Sequence, residues 1–167
     1  MKTLIIVRHA KSSWAEADQP DIERPLNERG KKDAPQMAKR VKEKGIDIDH
    51  LVSSPAKRAH KTAKLFADEL KLERENIQIM PELYEALPDA FFKVVASLSD
   101  KYDTVALFSH NPGVTGFVNT LTSVHVTDMP TCAVFAVSVE GGKWNVFKEA
   151  EKKFLFYDYP KNPLGSE

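Results

Sequence analysis

The 167-residue chain has a single cysteine, Cys132, no excess charge of either sign and no long apolar run. A lone thiol excludes an internal disulfide and any multi-cysteine metal site. It lies in the run Cys132-Ala133-Val134-Phe135-Ala136-Val137 and reads as a core residue. With 24 basic and 24 acidic side chains the formal net charge is +0, so nothing points to nucleic acid or an acidic membrane as partner. No stretch approaches the ~18 apolar residues that a membrane span needs. Met1-Lys2 leads into a short strand and not into a signal-peptide hydrophobic region, so a cytoplasmic protein is expected. What is present, 42% hydrophobic and 29% charged residues, is the composition of a soluble globular chain. Its length suits one domain.

Strand and helix signals alternate along the chain. Leu4-Ile5-Ile6-Val7 reads as a buried strand ending in Arg8-His9, and Ala15 to Pro25 as a loop over that end. Asn27 is placed to cap a helix carrying Ala34, Met37, Ala38 and Val41 and stopping at Gly45. Pro35 should kink that helix or mark a late start. Ile46 to Ser53 is a second strand, after which Ser54 as cap and Pro55 as first residue open a helix with Arg58 in its first turn. Ile77 to Met80 is a third strand, Pro81 to Pro88 a loop, and Asp89 the cap of a helix through Phe92, Val95, Ala96 and Leu98. Thr104 to Phe108 is the fourth strand and runs into Ser109-His110-Asn111, before a helix with Val114, Phe117, Val118 and Leu121. Cys132 to Val139 and Lys143 to Phe147 read as a hairpin turning at Glu140-Gly141-Gly142, with Phe154 to Tyr159 packed behind it and a frayed end after Pro160, Pro163 and Gly165. The alternation predicts a three-layer α/β/α single domain with a mostly parallel sheet and an antiparallel C-terminal hairpin. Right-handed crossovers then put every strand-to-helix loop on one edge.

That edge collects Arg8, His9, Arg58, Glu85 and His110 from four separate loops. Two guanidiniums each take two oxygens of a phosphoryl group, a protonated imidazole adds a third donor, and helix amides complete the cage. Such a cage needs neither metal nor cofactor. His9 is then free to act as an in-line nucleophile through one ring nitrogen, provided an acceptor such as a backbone carbonyl holds the other. Glu85 can protonate the leaving atom and later activate water, with Glu82 and Asp89 as competitors. Ser12 is a further candidate donor to phosphate, or else a turn-former. His50, His60 and His125 read as surface or packing residues, and Lys39, Arg40, Lys42 and Lys44 as a solvated face.

The runs Val7-Arg8-His9-Ala10-Lys11-Ser12, Pro25-Leu26-Asn27-Glu28-Arg29-Gly30, Ser53-Ser54-Pro55-Ala56-Lys57-Arg58-Ala59 and Ser109-His110-Asn111 resemble the histidine phosphatase superfamily, with its phosphoglycerate mutase-like fold. The small size and the lack of an extra helical insertion resemble its SixA-type phosphohistidine phosphatases. The resemblance implies that His9 accepts the phosphoryl group while Arg8, Arg58 and His110 form its pocket. It also places Glu85 where larger members carry their acid. Two departures stand out. The glycine usual after the histidine is Ala10, and Ala15 replaces an asparagine that contacts phosphate in many mutase-type members, which weakens a mutase reading. The expected substrate is a phosphorylated protein, such as a histidine-containing phosphotransfer domain, or a small phosphoester. A mutase-like isomerase and a non-catalytic phosphate-binding module are the alternatives.

Overall fold

The sheet is built around β1 (Lys2–Arg8), whose alternate residues face two separate apolar cores. The computed structural model describes residues 1–162, so the frayed end expected around Pro163 and Gly165 lies outside the described residues. The other strands are β2 (His50–Ser53), β3 (Gln78–Ile79), β4 (Thr104–Ser109), β5 (Val134–Val139) and β6 (Lys152–Asp158). They lie in the order β3-β2-β4-β1-β5-β6, with the first four parallel and β5 and β6 antiparallel.

Helices α1 (Glu28–Glu43) and α2 (Lys57–Leu70) cover one face with Met37, Val41 and Phe66 against Ile5 and Val7. Helices α3 (Pro88–Ala96) and α4 (Gly113–Val118) cover the other with Phe91, Val95 and Phe117 against Leu4 and Ile6. Each of these fully buried side chains contributes roughly 2–3 kcal/mol of transfer free energy. The result is the expected three-layer α/β/α architecture. In register, Arg8 of β1 sits beside Ser109 of β4, so the histidines that follow each strand emerge side by side.

Several elements differ from the sequence expectation. Residues 143–147 are not a strand: Trp144–Val146 form a 3-10 turn, and β5 pairs instead with Lys152–Asp158. The Trp144 side chain is drawn into the core and its ring N–H donates to the Tyr102 carbonyl at 2.8 Å, which removes this segment from the sheet. The second and third strands are shorter than Ile46 to Ser53 and Ile77 to Met80. Helix α1 starts at Glu28 and runs through Pro35 to Glu43. One lost backbone bond there is offset by the buried stripe of Met37, Ala38 and Val41 beyond it. Ser54 does not cap α2, whose boundary residue is Ala56, and Asp89 lies inside the first turn of α3 instead of capping it. Arg40 is no part of a solvated face: it is buried, 3.4 Å from the buried Asp158 carboxylate, and donates to the carbonyls of Tyr159 and Pro160. Residues 158–160 are thereby tied to α1.

Asn27 caps α1 as expected, its side chain accepting from the Gly30 N–H at 2.9 Å, and its own N–H donates to the Lys11 carbonyl at 3.0 Å. A Cβ on Gly30 would press into that same carbonyl. Alanine normally stabilises a helix relative to glycine by about 1 kcal/mol. Here Gly30→Ala is expected to destabilise by about 2 kcal/mol, lowering the melting temperature by roughly 5 °C, because the loop after β1 must move. Thermal unfolding checks the sign; a rise in melting temperature refutes the close approach.

Candidate active site

Beyond the carboxyl ends of β1 and β4 lies an open cleft of about 540 Å³, lined among others by Asp21, Arg58, Tyr84, Glu85, His110 and Asn111. His110 lines it, and the His9 ring lies beside the His110 ring with centroids 5.2 Å apart. His9 is buried, and its Nδ1 lies 2.7 Å from the Ala10 carbonyl oxygen. A carbonyl only accepts, so Nδ1 carries the proton and Nε2 keeps its lone pair. The Ala10 N–H in turn donates to the Thr62 hydroxyl, which donates to the Arg58 carbonyl. The loop that carries His9 is thus fastened to the helix that carries Arg58. Burial first, and then the neighbouring His110 and guanidiniums, push the His9 pKa down to about 3. The imidazole is therefore neutral and unprotonated at Nε2 near neutral pH.

His110 departs from expectation. Its pKa is also pushed down to about 3, by burial and by Arg58, so a protonated imidazole is not what the folded protein offers. A neutral ring replaces it, sharing a 2.7 Å hydrogen bond between Nε2 and the Ser54 hydroxyl. That hydroxyl also accepts the Ala56 N–H at 3.2 Å, so this helix amide is not turned toward the cleft. Arg8 donates from Nη1 to the Met129 carbonyl at 2.9 Å, and burial together with Arg58 lowers its pKa while Asp128 raises it. Arg58 lies near enough to Arg8 to add to that lowering. Among the described residues, four buried side-chain polar atoms have no partner, and three of them are Arg8 Nε, Arg58 Nε and His110 Nδ1. Buried polar groups are ordinarily satisfied, and each of these is a cost that an anionic ligand would relieve.

The two loops that frame the cleft were only partly legible. Asp21, which sequence reasoning missed, accepts from Arg58 Nη2 at 3.0 Å and from the Tyr84 hydroxyl at 2.7 Å, while its carbonyl accepts from Arg58 Nη1 at 2.7 Å. The Tyr84 hydrogen bond is the main reason its carboxyl is held down at about 2; the Arg58 contact adds to it. Asp21 is ionised and is no proton donor at neutral pH. The one available signal was an acidic residue in a loop predicted to cover a cationic edge. Ser12 is buried and its hydroxyl oxygen accepts from Arg24 Nη1 at 2.7 Å, so it secures this loop while retaining its own O–H. Ser109 donates to the Leu83 carbonyl at 2.6 Å and so anchors the segment that carries Tyr84 and Glu85. Glu85 adopts φ +56° and lines the cleft; Glu82 and Asp89 are not among its lining residues. His50 stacks on Tyr102 and bonds Gln78, away from the site, and His125 is exposed.

Two arginines, a neutral histidine with a fixed tautomer and a second histidine are thus brought together at the strand ends of an α/β sheet. The chain belongs to the histidine phosphatase superfamily (branch 1), whose sequence model matches residues 4–90. It is 26% identical over 151 residues to an uncharacterized chloroplastic protein of Arabidopsis thaliana, covering 86% of this chain and 69% of that one. It is 39% identical over 75 residues to phosphoserine phosphatase 1 of Hydrogenobacter thermophilus, a match that covers 44% of this chain and 35% of the relative. In fold it is similar to the protein histidine phosphatase SixA complexed with tungstate, with a TM-score of 0.79, 23% identity and 95% and 97% of the two chains covered. Among the described residues, no helix is long and apolar enough to cross a membrane.

Proposed function

We propose that this protein is a phosphohistidine phosphatase, acting on protein side chains in the cytoplasm through a phosphoryl intermediate on His9. The observation that carries the reading is the His9 tautomer: Nδ1–H is committed to the Ala10 carbonyl and Nε2 is free beside two guanidiniums. In the first step the Nε2 lone pair attacks phosphorus as the bond to the leaving nitrogen or oxygen breaks, and the Glu85 carboxyl supplies the proton that the leaving atom needs. In the second, water attacks the phosphohistidine, its proton passes to the Glu85 carboxylate, and inorganic phosphate leaves with His9 restored. Arg8, Arg58, His110 and the remaining Ser12 hydroxyl proton supply donors to the transferring group, so that on this reading the charge is met by side chains without a metal or cofactor. The open cleft supports a protein substrate, since among the described residues nothing encloses a small molecule there.

Brief exposure to a labelled, histidine-phosphorylated phosphotransfer domain, followed by an alkaline quench, is expected to leave an alkali-stable, acid-labile label on His9. Turnover with the label on any other residue, or turnover of a small phosphoester alone, overturns the proposal.

A further inference from the structure

Resting on the phosphatase reading, we infer that the rim of the cleft is a docking surface for a phosphoprotein whose phosphorylated side chain is flanked by basic and apolar residues. The cage residues Arg58 and His110 are 5% and 8% exposed, line the cleft and keep unpartnered nitrogens, which identifies its floor as anion-binding. The rim has the opposite sign. Residues 13–25 carry Glu16, Asp18, Asp21 and Glu23 against one cation, Arg24, which is buried and bonded to Ser12 and Asp21. Of residues 81–89, which carry no cation, Glu85 lines the cleft. Across the cleft the exposed Asp128 accepts from Asn111 at 2.9 Å and lies near enough to Arg8 to raise its pKa. Lys11, just ahead of the first segment, is an exposed cation on that side.

The same two segments hold three of the exposed large apolar side chains: Trp14 (73%), Leu87 (70%) and Ile22. Trp14 lies over the Arg24 guanidinium, 3.6 Å from it, and Leu87 lines the cleft itself. Apolar side chains gathered around a polar site mark a surface that another protein covers. Carboxylates outside a cationic floor admit one phosphoryl group and repel a second anion beside it. A phosphoester carrying its own carboxylate therefore fits poorly. A phosphorylated side chain with lysine or arginine neighbours satisfies both layers.

The test uses the full chain and two peptides of equal length, each phosphorylated on one histidine, one flanked by Lys and Leu and the other by Glu and Ala. Binding is read by calorimetry on His9→Ala protein, so the comparison stands apart from turnover, and kcat/KM is read on the unmutated protein. The basic-apolar peptide is expected to bind about tenfold more tightly at low salt, with the ratio shrinking as ionic strength rises. Replacing the exposed Glu16 and Glu23 by Gln is expected to narrow that ratio and to leave turnover of an aryl phosphate with no other charged group unchanged. Equal binding of the two peptides, or a preference for the acidic one, overturns the inference. Preferential binding without turnover by the unmutated protein overturns the phosphatase reading alone.

Discussion

His9→Ala protein is expected to lose hydrolysis of an activated aryl phosphate by roughly 10⁴-fold or more, because the substitution removes the atom that forms the covalent intermediate. Folding should survive, since the side chain makes one local bond to Ala10, and circular dichroism can confirm this. Affinity for inorganic phosphate should persist within a few-fold, because Arg8, Arg58 and His110 remain. That pairing of lost turnover with retained binding separates a nucleophile from a residue that only shapes the pocket. Turnover within tenfold of the unmutated protein would refute the covalent route.

Acid is expected to destabilise the fold from an unusually high pH. His9 and His110 are both held near pKa 3 in the folded protein, against 6.5 for an unperturbed imidazole. Below 6.5 the unfolded chain takes up protons that the folded chain refuses until about pH 3. Stability that is complete above 6.5 is therefore lost as pH falls through that window. Each pH unit is worth up to about 1.4 kcal/mol per histidine, so lowering the pH from 7 to 5 removes roughly 3–4 kcal/mol. For a chain of this size that is a fall of about 10 °C in melting temperature. Tungstate or inorganic phosphate should offset the loss, increasingly so toward acid, because a bound anion favours the protonated rings. The double variant His9→Asn, His110→Asn should flatten the pH dependence. A melting temperature unchanged between pH 7 and 5 would contradict the buried, neutral state of these rings.

The layered architecture was legible in the sequence because its strands are short apolar runs bounded by turn signals, and its helices carry apolar stripes at helical spacing. What misled was the Gly141-Gly142 turn, which drew the final strand toward Lys143 when the pairing partner lies at Lys152–Asp158. A run reading Lys-Lys-Phe-Leu-Phe-Tyr has aromatic content without clean alternation, and only the exposed edge of β5 selects it. The convergence of Arg8, His9, Arg58 and His110 on one edge was legible because each ends a strand or follows one. The charge states of His9 and His110 were not, since burial is a property of the assembled fold. Asp21 was invisible for a different reason: it acts on Arg58 from 37 residues away, through a loop whose path no local pattern specifies. Glu85 was preferred over Glu82 and Asp89 because the family resemblance places an acid there, not because a local pattern selects it; of the three, Glu85 is the one among the cleft's lining residues.

Both hydrogen bonds that orient the nucleophile run through the backbone of Ala10, whose carbonyl receives His9 and whose N–H reaches Thr62. The aim of the imidazole is thus a main-chain property. Exchange of glycine for alanine at position 10 leaves both bonds in place, which accounts for an alanine standing where a glycine is usual. Ala10 is fully buried, so it is the small size of the side chain and not its identity that the locked nitrogen requires.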